Sequence, residues 1–155
     1  MEKTKALIRF TNSRQALLKA IAGLSESDLT VPQVEGIWTI KDVLGHISAW
    51  EQTLLEPLAA FAIGRPFIAE IIPDHDAWNL GQSARRSSCS YSEICKEMET
   101  TRQELLAVLS SLSKDQWEQS FLAPWGDQNT IIEMISGLAW HEQEHTKSIQ
   151  KVFSK

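Results

Sequence analysis

Hydrophobic residues recur at intervals of three and four along four long stretches of the chain, which is the spacing of one buried helix face. The first stretch, over roughly residues 3–24, carries Leu7, Phe10, Leu17, Leu18, Ile21 and Leu24. The others run from Ile40 to Leu58, from Ile94 to Leu112 and from Ile131 to Val152. The period-two alternation of a half-buried strand is absent, so we predict an all-α fold with little or no sheet.

A hydroxyl residue precedes three of these stretches and an acidic residue follows it three positions later, as in Thr39 with Asp42, Ser90 with Glu93, and Thr130 with Glu133. In this arrangement the hydroxyl accepts a hydrogen bond from the first helical turn, and the carboxylate accepts one from the N–H of the capping residue. The three pairs therefore predict three helix starts. Pro57 is expected to kink or split the second helix, because proline lacks an N–H and clashes with the preceding turn.

Glycine and proline are scarce and cluster between the apolar stretches. Residues 64–89 are less regular, and we predict a long crossover there with a short helix from Asp74 to Gly81. Repeats, low-complexity tracts and linkers are not visible, so the 155 residues are predicted to form a single domain, 1–155. Four main helices with one long connection indicate a four-helix bundle.

Composition narrows the class of protein. Hydrophobic residues make up 43% and charged residues 23%, which is typical of a soluble globular chain. The net charge of −5 argues against nucleic acid or an anionic membrane as partner. The start of the sequence lacks the pattern of a signal peptide, and its longest apolar run is too short to span a bilayer. Cys89 and Cys95 are too few for a disulfide scaffold, so we expect free thiols and a cytoplasmic location.

The candidate chemistry rests on three of the four histidines. His141 and His145 are four residues apart on the fourth predicted helix, so both imidazoles face the same side and can reach one cation. Both continue the apolar stripe of that helix, and His46 borders the stripe of the second. Three histidine ligands leave positions open for water or substrate, as in catalytic metal sites. The alternative is that each histidine is a core residue bonded to a backbone carbonyl or water.

The string from His141 to His145 also satisfies H-E-x-x-H, the helix motif of zinc proteases. A protease is disfavoured, because no third ligand follows His145 and no strand is evident to hold an extended peptide. Glu142 is a candidate general base or outer partner of the metal, and otherwise a solvated carboxylate. His75 is predicted to lie on the surface. Trp50 and Trp140 are expected to wall an apolar pocket above the metal.

The sequence resembles the DinB superfamily and, within it, the four-helix-bundle proteins of the ClbS/DfsB type. The resemblance covers about residues 36–150 and is carried by the segments 38–47, 76–79, 124–126 and 141–149. It implies a bundle of up-up-down-down topology and a metal triad that falls on His46, His141 and His145. It also implies a divalent transition metal, zinc or nickel, and a homodimer.

Activities within this family differ, so the resemblance does not fix the reaction. Characterised members of this family include thiol S-transferases, a thiol-dependent isomerase and a hydrolase that acts on a genotoxin. We therefore expect a metal-dependent hydrolase or thiol S-transferase acting on a small molecule, with a low-molecular-weight thiol as a further partner. Two alternatives stay open: a non-catalytic protein that binds or sequesters a small molecule in self-resistance, and a structural bundle whose histidines only pack.

Overall fold

A computed structural model describes residues 2–154 of the chain, and most of these residues are helical. Four long helices form the bundle, α1 (Glu2–Ile21), α3 (Ile40–Ala62), α5 (Tyr91–Ser111) and α7 (Ile131–Phe153). The shorter helices are α2 (Glu26–Thr30), α4 (His75–Arg86) and α6 (Lys114–Trp117). The strands are β1 (Gln33–Glu35), β2 (Trp38–Thr39), β3 (Ser120–Leu122) and β4 (Gln128–Thr130). The predicted all-α four-helix bundle is confirmed.

The apolar core consists of two clusters stacked along the bundle axis. Helices α1 and α7 pass from the first cluster to the second, for example from Phe10 to Leu17. Helices α3 and α5 pass in the opposite direction, for example from Ile47 to Leu54. Two neighbouring helices therefore run up and two run down, so the expected up-up-down-down order is found around the bundle. Along the chain the order is up, down, down, up.

The parallel course of α3 and α5 explains the long crossover between them, because consecutive parallel helices need a connection that returns along the whole bundle. Residues 63–90 form this connection and contain α4, which Asp74 caps. The helix extends beyond Gly81, where the sequence predicted its end. Arg86 anchors it by lying against Gly45 of α3, where a Cβ atom would approach the Arg86 side chain to 2.9 Å.

The capping boxes predicted at the starts of α3, α5 and α7 are all present. Helix α3 continues past Pro57 to Ala62, so the proline does not split it. Leu54, Pro57 and Leu58 are all buried there, and their packing holds the helix together across the missing hydrogen bond. None of the helices formed by residues 2–154 is long and apolar enough to cross a membrane.

The small amount of sheet consists of two antiparallel hairpins, β1–β2 and β3–β4. Each hairpin leads directly into a long helix, since Thr39 and Thr130 are at once the last strand residue and the helix cap. Short strands of two or three residues escape detection by periodicity. Their position matters for function, because both hairpins border the histidine-bearing side of the bundle.

Candidate metal centre

The bundle brings His46 of α3 together with His141 and His145 of α7. The Nε2 atoms of His46 and His141 are 2.8 Å apart, and those of His141 and His145 are 2.9 Å apart. The three rings meet edge to face, with their centroids 4.5–4.8 Å apart. The spacing of four residues on α7 stacks two of these rings, and the close approach of α3 supplies the third.

Burial favours the neutral form of His46 and His141. His46 is 8% exposed and His145 is 9% exposed. Burial, with smaller contributions from the neighbouring imidazoles of His141 and His145, lowers the pKa of His46 to about 2. Burial likewise lowers the pKa of His141 to about 3, with a smaller contribution from His145. Neutral imidazole is the form that offers a lone pair to a metal ion.

A carboxylate fixes the orientation of His145. Its Nδ1 atom lies in hydrogen-bond contact with Glu35 of β1, and the hydroxyl of Ser148 donates to the other Glu35 oxygen at 3.0 Å. We assign the proton of His145 to Nδ1, where it faces the carboxylate, so the lone pair of Nε2 points toward His141. Metal-ligating histidines carry this kind of carboxylate partner in many proteins. Sequence reasoning missed Glu35, because its contact spans 110 residues and leaves no local signal.

The donor set fits a transition metal. Three Nε2 atoms face one another, and hydrogen bonds among them cannot satisfy all three, because His145 has no proton on that atom in the assigned tautomer. A shared cation accepts all three lone pairs at once, and imidazole nitrogen suits zinc and nickel. The Nδ1 atom of His46 is buried and has no hydrogen-bond partner within residues 2–154.

The three histidines lie in the wall of a cavity of about 960 Å³. Much of the cavity lining is aromatic, with Trp38, Trp50, Trp125 and Trp140 among the lining residues. The predicted placement of Trp50 and Trp140 in a pocket wall is confirmed, although Trp140 is 62% exposed and stands at the rim. Such a cavity is large enough to enclose most of a small organic molecule.

Helix α4 forms one wall of this cavity through contacts with Trp50. The indole N–H of Trp50 donates to Asn79 at 2.9 Å, and its ring packs against Trp78 with centroids 4.5 Å apart. His75 is exposed, as predicted, but it is the first residue of α4 and lines the cavity rather than standing in a loop. The crossover thus contributes to the site.

Glu142 does not face the histidines in the way a general base would. It is fully buried and accepts hydrogen bonds from Ser13 at 2.5 Å, from Arg14 at 2.5 Å and from Arg102 at 2.9 Å. Both carboxylate oxygens are therefore already engaged. The role of base predicted from H-E-x-x-H does not fit this placement, and neither does the alternative of a solvated carboxylate.

Glu142 belongs to a buried charge cluster, defined here as Arg14, Glu51, Arg102 and Glu142, with one member on each bundle helix. Arg102 also donates to the Phe10 carbonyl at 2.8 Å and lies over the Phe10 ring. Burial alone would lower the pKa of Arg102, but Glu51 and Glu142 raise it above its usual value. The cluster separates the two apolar clusters of the core.

Sequence reasoning missed the charge cluster, although a signal exists. Each of its four residues lies on the apolar stripe of its helix, four positions after a core residue. Three of them also lie three positions before another core residue, as Arg102 does between Met98 and Leu105. A charge inside an apolar stripe requires a partner of opposite sign. Two positive and two negative stripe positions on four helices therefore predict mutual pairing.

Comparison with known proteins agrees with this architecture. A protein of Oceanobacillus iheyensis, named as a proposed metal-dependent hydrolase, is 21% identical over 154 residues, which is 99% of this chain and 84% of that protein. A Bacillus subtilis protein of unassigned function, YuaE, is 21% identical over 155 residues, covering 94% of this chain and 96% of the relative.

Three solved structures share the fold. The mycothiol-dependent maleylpyruvate isomerase superimposes with a TM-score of 0.80 at 12% identity, over 95% of this chain and 60% of that one. The colibactin self-resistance protein ClbS, in a complex with double-stranded DNA, superimposes with a TM-score of 0.76 at 15% identity, over 97% of this chain and 94% of that one. YfiT of Bacillus subtilis, described as a proposed metal-dependent hydrolase with an unusual four-helix bundle topology, superimposes with a TM-score of 0.70 at 20% identity, over 97% of this chain and 85% of that one.

Family membership follows from a match along nearly the whole chain. The model of the DinB superfamily matches residues 9–149, a range that contains all three clustered histidines and all four bundle helices in whole or in large part. With the fold shared by ClbS and YfiT, the resemblance seen in the sequence is confirmed. The chain belongs to the DinB superfamily.

Proposed function

We propose that this protein is a metal-dependent enzyme that acts on a small molecule, as a hydrolase or a thiol S-transferase. His46, His141 and His145 hold the metal, which is zinc or nickel. The observation that carries the proposal is the convergence of three desolvated Nε2 atoms in the wall of a cavity. Bound there, a divalent metal supplies Lewis acidity that polarises an electrophile or lowers the pKa of a coordinated water or thiol.

The residues around the histidines support this activity by orientation and by exclusion of water. Glu35 holds the His145 ring, so that its Nε2 lone pair stays directed toward the other two nitrogens. Trp38 packs on His46 with ring centroids 4.7 Å apart and shields that side of the site. Low polarity around the metal strengthens its interaction with a developing negative charge.

Metal content tests the proposal directly. The protein is purified without chelator or a metal-carrying tag, incubated with zinc or nickel, dialysed and analysed for metal. We expect about one equivalent in the wild type and close to none in His46→Ala, His141→Ala and His145→Ala, since three protein ligands are needed for a stable site. His75→Ala is the matched control, because His75 lines the same cavity outside the cluster. Full metal content in His145→Ala overturns the proposal.

A panel of esters, amides and epoxides, each with and without glutathione or another small thiol, separates hydrolysis from transfer. Turnover that requires the thiol indicates transfer when it gives a thioester and an alcohol or amine from the ester or amide, or a ring-opened thioether from the epoxide. Turnover without thiol indicates hydrolysis. The active form is expected to lose turnover on chelation and regain it with metal. Formation of a homodimer stays a prediction, and size-exclusion chromatography with light scattering tests it.

The size of the cavity favours one alternative, a protein that binds or sequesters a small molecule without converting it. A volume of about 960 Å³ lies at the upper end for sites that enclose a drug-sized ligand. The likeness to ClbS, named as a colibactin self-resistance protein, is in keeping with such a role. Tight ligand binding that ignores chelators, with no turnover across the panel, would favour sequestration.

A further inference from the structure

The charge around the cavity points to the kind of molecule that enters it. Five carboxylate side chains line the cavity: Glu35, Asp76, Asp127, Glu133 and Glu144. Lysine and arginine are absent from the described lining. A cleft lined by one sign of charge concentrates ligands of the opposite sign. The cavity is thus lined by acidic side chains in addition to the three imidazoles in its wall.

Three of these carboxylates already have partners. Glu35 contacts His145 and Ser148, Glu133 caps α7 by accepting from the Thr130 N–H at 2.7 Å, and Glu144 pairs with Lys147 at 2.6 Å. The carboxylates of Asp76 and Asp127 are exposed and make no hydrogen bond or ion pair with any residue of the range 2–154. These two groups are available to a ligand.

Asp76 and Asp127 belong to separate elements that the fold brings to one cavity. Asp76 lies in the first turn of α4, and Asp127 follows Gly126 in the β3–β4 turn. That turn is tight, because the Ala123 N–H donates to the Asp127 carbonyl at 2.8 Å and Gly126 adopts a φ of 99° that favours glycine. Asp127 therefore projects from a fixed turn rather than from a long loop.

The same rim offers apolar and aromatic surface. Ile37, Leu80 and Trp140 line the cavity and are 69%, 56% and 62% exposed. Trp125 is held by a hydrogen bond from its indole N–H to Asn129 at 2.8 Å. Indole faces attract organic cations as well as apolar groups, because the ring carries negative charge on its face. Aromatic rings beside unpartnered carboxylates suit a cation that is itself partly apolar.

The geometry points to a ligand with an apolar body and a protonated amine or similar organic cation, bound with its positive group near Asp76 and Asp127. A second feature of the ligand, a Lewis-basic group such as a carbonyl that reaches the three histidines, rests on the proposed function. A divalent ion held by the histidines would add positive charge in one part of the cavity and would leave the carboxylates of Asp76 and Asp127 without a partner among residues 2–154. Dianionic substrates without a cation are disfavoured.

Three matched probes test the charge preference: 2-phenylethylamine, 2-phenylethanol and 3-phenylpropionate share an aromatic body and differ in charge. Their binding to metal-free protein is followed by tryptophan fluorescence or calorimetry at pH 7 and low salt. We expect the ammonium probe to bind at least ten times more tightly than the carboxylate, with the alcohol between them. Added salt should weaken only the preference for the cation.

The double variant Asp76→Asn/Asp127→Asn is expected to reduce the affinity for 2-phenylethylamine about tenfold and to leave that for 2-phenylethanol unchanged. Asp115→Asn is the control, because Asp115 is an exposed carboxylate of α6 outside the cavity. Equal or tighter binding of 3-phenylpropionate by the metal-free wild type overturns the inference, as does an unchanged charge preference in the double variant. Metal content is measured in a separate experiment from the binding of the three probes to metal-free protein. A failure of the metal site can therefore be distinguished from a failure of cation selection.

Discussion

The bundle holds two polar clusters at a similar height, and they differ in how completely their groups are paired. In the charge cluster, every carboxylate oxygen of Glu51 and Glu142 accepts at least one hydrogen bond from an arginine. In the histidine cluster, three nitrogen atoms face one another without enough protons to pair them. The first cluster is almost closed to solvent, since its most exposed side chain, Arg14, is 11% exposed, whereas the second opens into a cavity of about 960 Å³.

This comparison shows that a buried polar group has a different role in the fold when it is fully paired than when it lacks a partner. A buried charge that is fully paired resists change, because removing one partner strands the other in a low-dielectric interior. A buried lone pair without a proton to accept is suited to a ligand that comes from outside. Glu142 and His145 are three residues apart on α7, yet Glu142 belongs to the fully paired charge cluster and His145 to the incompletely paired histidine cluster.

Neutralising Glu142 is the change with the largest expected effect. Glu142→Gln leaves Arg14 and Arg102 with one carboxylate between them, and we expect a loss of about 3–5 kcal/mol in the free energy of unfolding. Metal content per folded protein should not change, because Glu142 is not among the clustered histidines. Urea unfolding followed by circular dichroism measures the first quantity, and elemental analysis the second.

Glu144→Gln is the matched control two residues along the same helix. Glu144 forms an exposed pair with Lys147, and such pairs contribute about 0–1 kcal/mol. A stable Glu142→Gln protein that has lost activity would contradict the structural role assigned to Glu142 and would restore it as a base.

The histidine cluster is expected to respond in the opposite way. In metal-free protein, His145→Ala should lower the free energy of unfolding by only about 1 kcal/mol. The loss is small because the Glu35 side chain left without its partner is 35% exposed and can be solvated. Zinc at one hundred times its dissociation constant should stabilise the wild type by about 2.7 kcal/mol. For a domain of this size that raises Tm by about 5–10 °C.

The zinc-induced rise in Tm should vanish in His145→Ala and persist in His75→Ala, which retains the cluster. Differential scanning calorimetry with and without zinc measures both effects. If zinc raises the Tm of the His145→Ala protein as much as that of the wild type, the cluster does not bind the ion through His145.

Sequence periodicity predicted the bundle and placed His46, His141 and His145 on or beside inward helix faces, because such faces repeat every three or four residues. The prediction that His46 meets the α7 pair also relied on the resemblance to the DinB superfamily. Glu35 could not be predicted, since it stands on a strand of three residues and acts across the fold. The burial and pairing of Glu142 were missed for a different reason. H-E-x-x-H describes one helix, whereas the surroundings of Glu142 depend on α1 and α5.

Glu35 provides a finer test of the histidine cluster. Glu35→Gln keeps the size of the side chain but removes the charge that fixes the His145 ring, and we expect metal affinity to fall about 10–100-fold. Stability of the metal-free protein should hardly change, since Glu35 lies at the cavity lining. Competition against a chelating dye measures the affinity.

Ser148→Ala is the control, because it removes the second partner of Glu35 and leaves the carboxylate on His145. One neutral hydrogen bond contributes about 0.5–1.5 kcal/mol, so affinity should fall by about tenfold at most. An unchanged affinity in Glu35→Gln would show that packing alone orients the His145 ring.

The pair of Arg86 and Glu97 is a third, half-exposed case with the smallest expected effect. Burial alone would raise the pKa of Glu97, but the hydrogen bonds and charge of Arg86, together with hydrogen bonds from Gln52 and Ser48, lower it from its ordinary value. The folded state therefore keeps the carboxylate ionised at a pH where the unfolded chain takes up a proton. The stabilisation is complete above about pH 4.5 and is lost as the pH falls through the folded-state pKa.

Glu97→Gln should lower the free energy of unfolding by about 0.5–1 kcal/mol at pH 7, as expected for a pair that water partly screens. The difference from the wild type should shrink as the pH is lowered from 5 toward 3, and urea unfolding across this range measures it. Glu104→Gln, an exposed position on the same helix, should match the wild type throughout. A difference that persists undiminished at low pH would mean that Glu97 acts through packing, and the pair would then resemble neither of the two buried clusters.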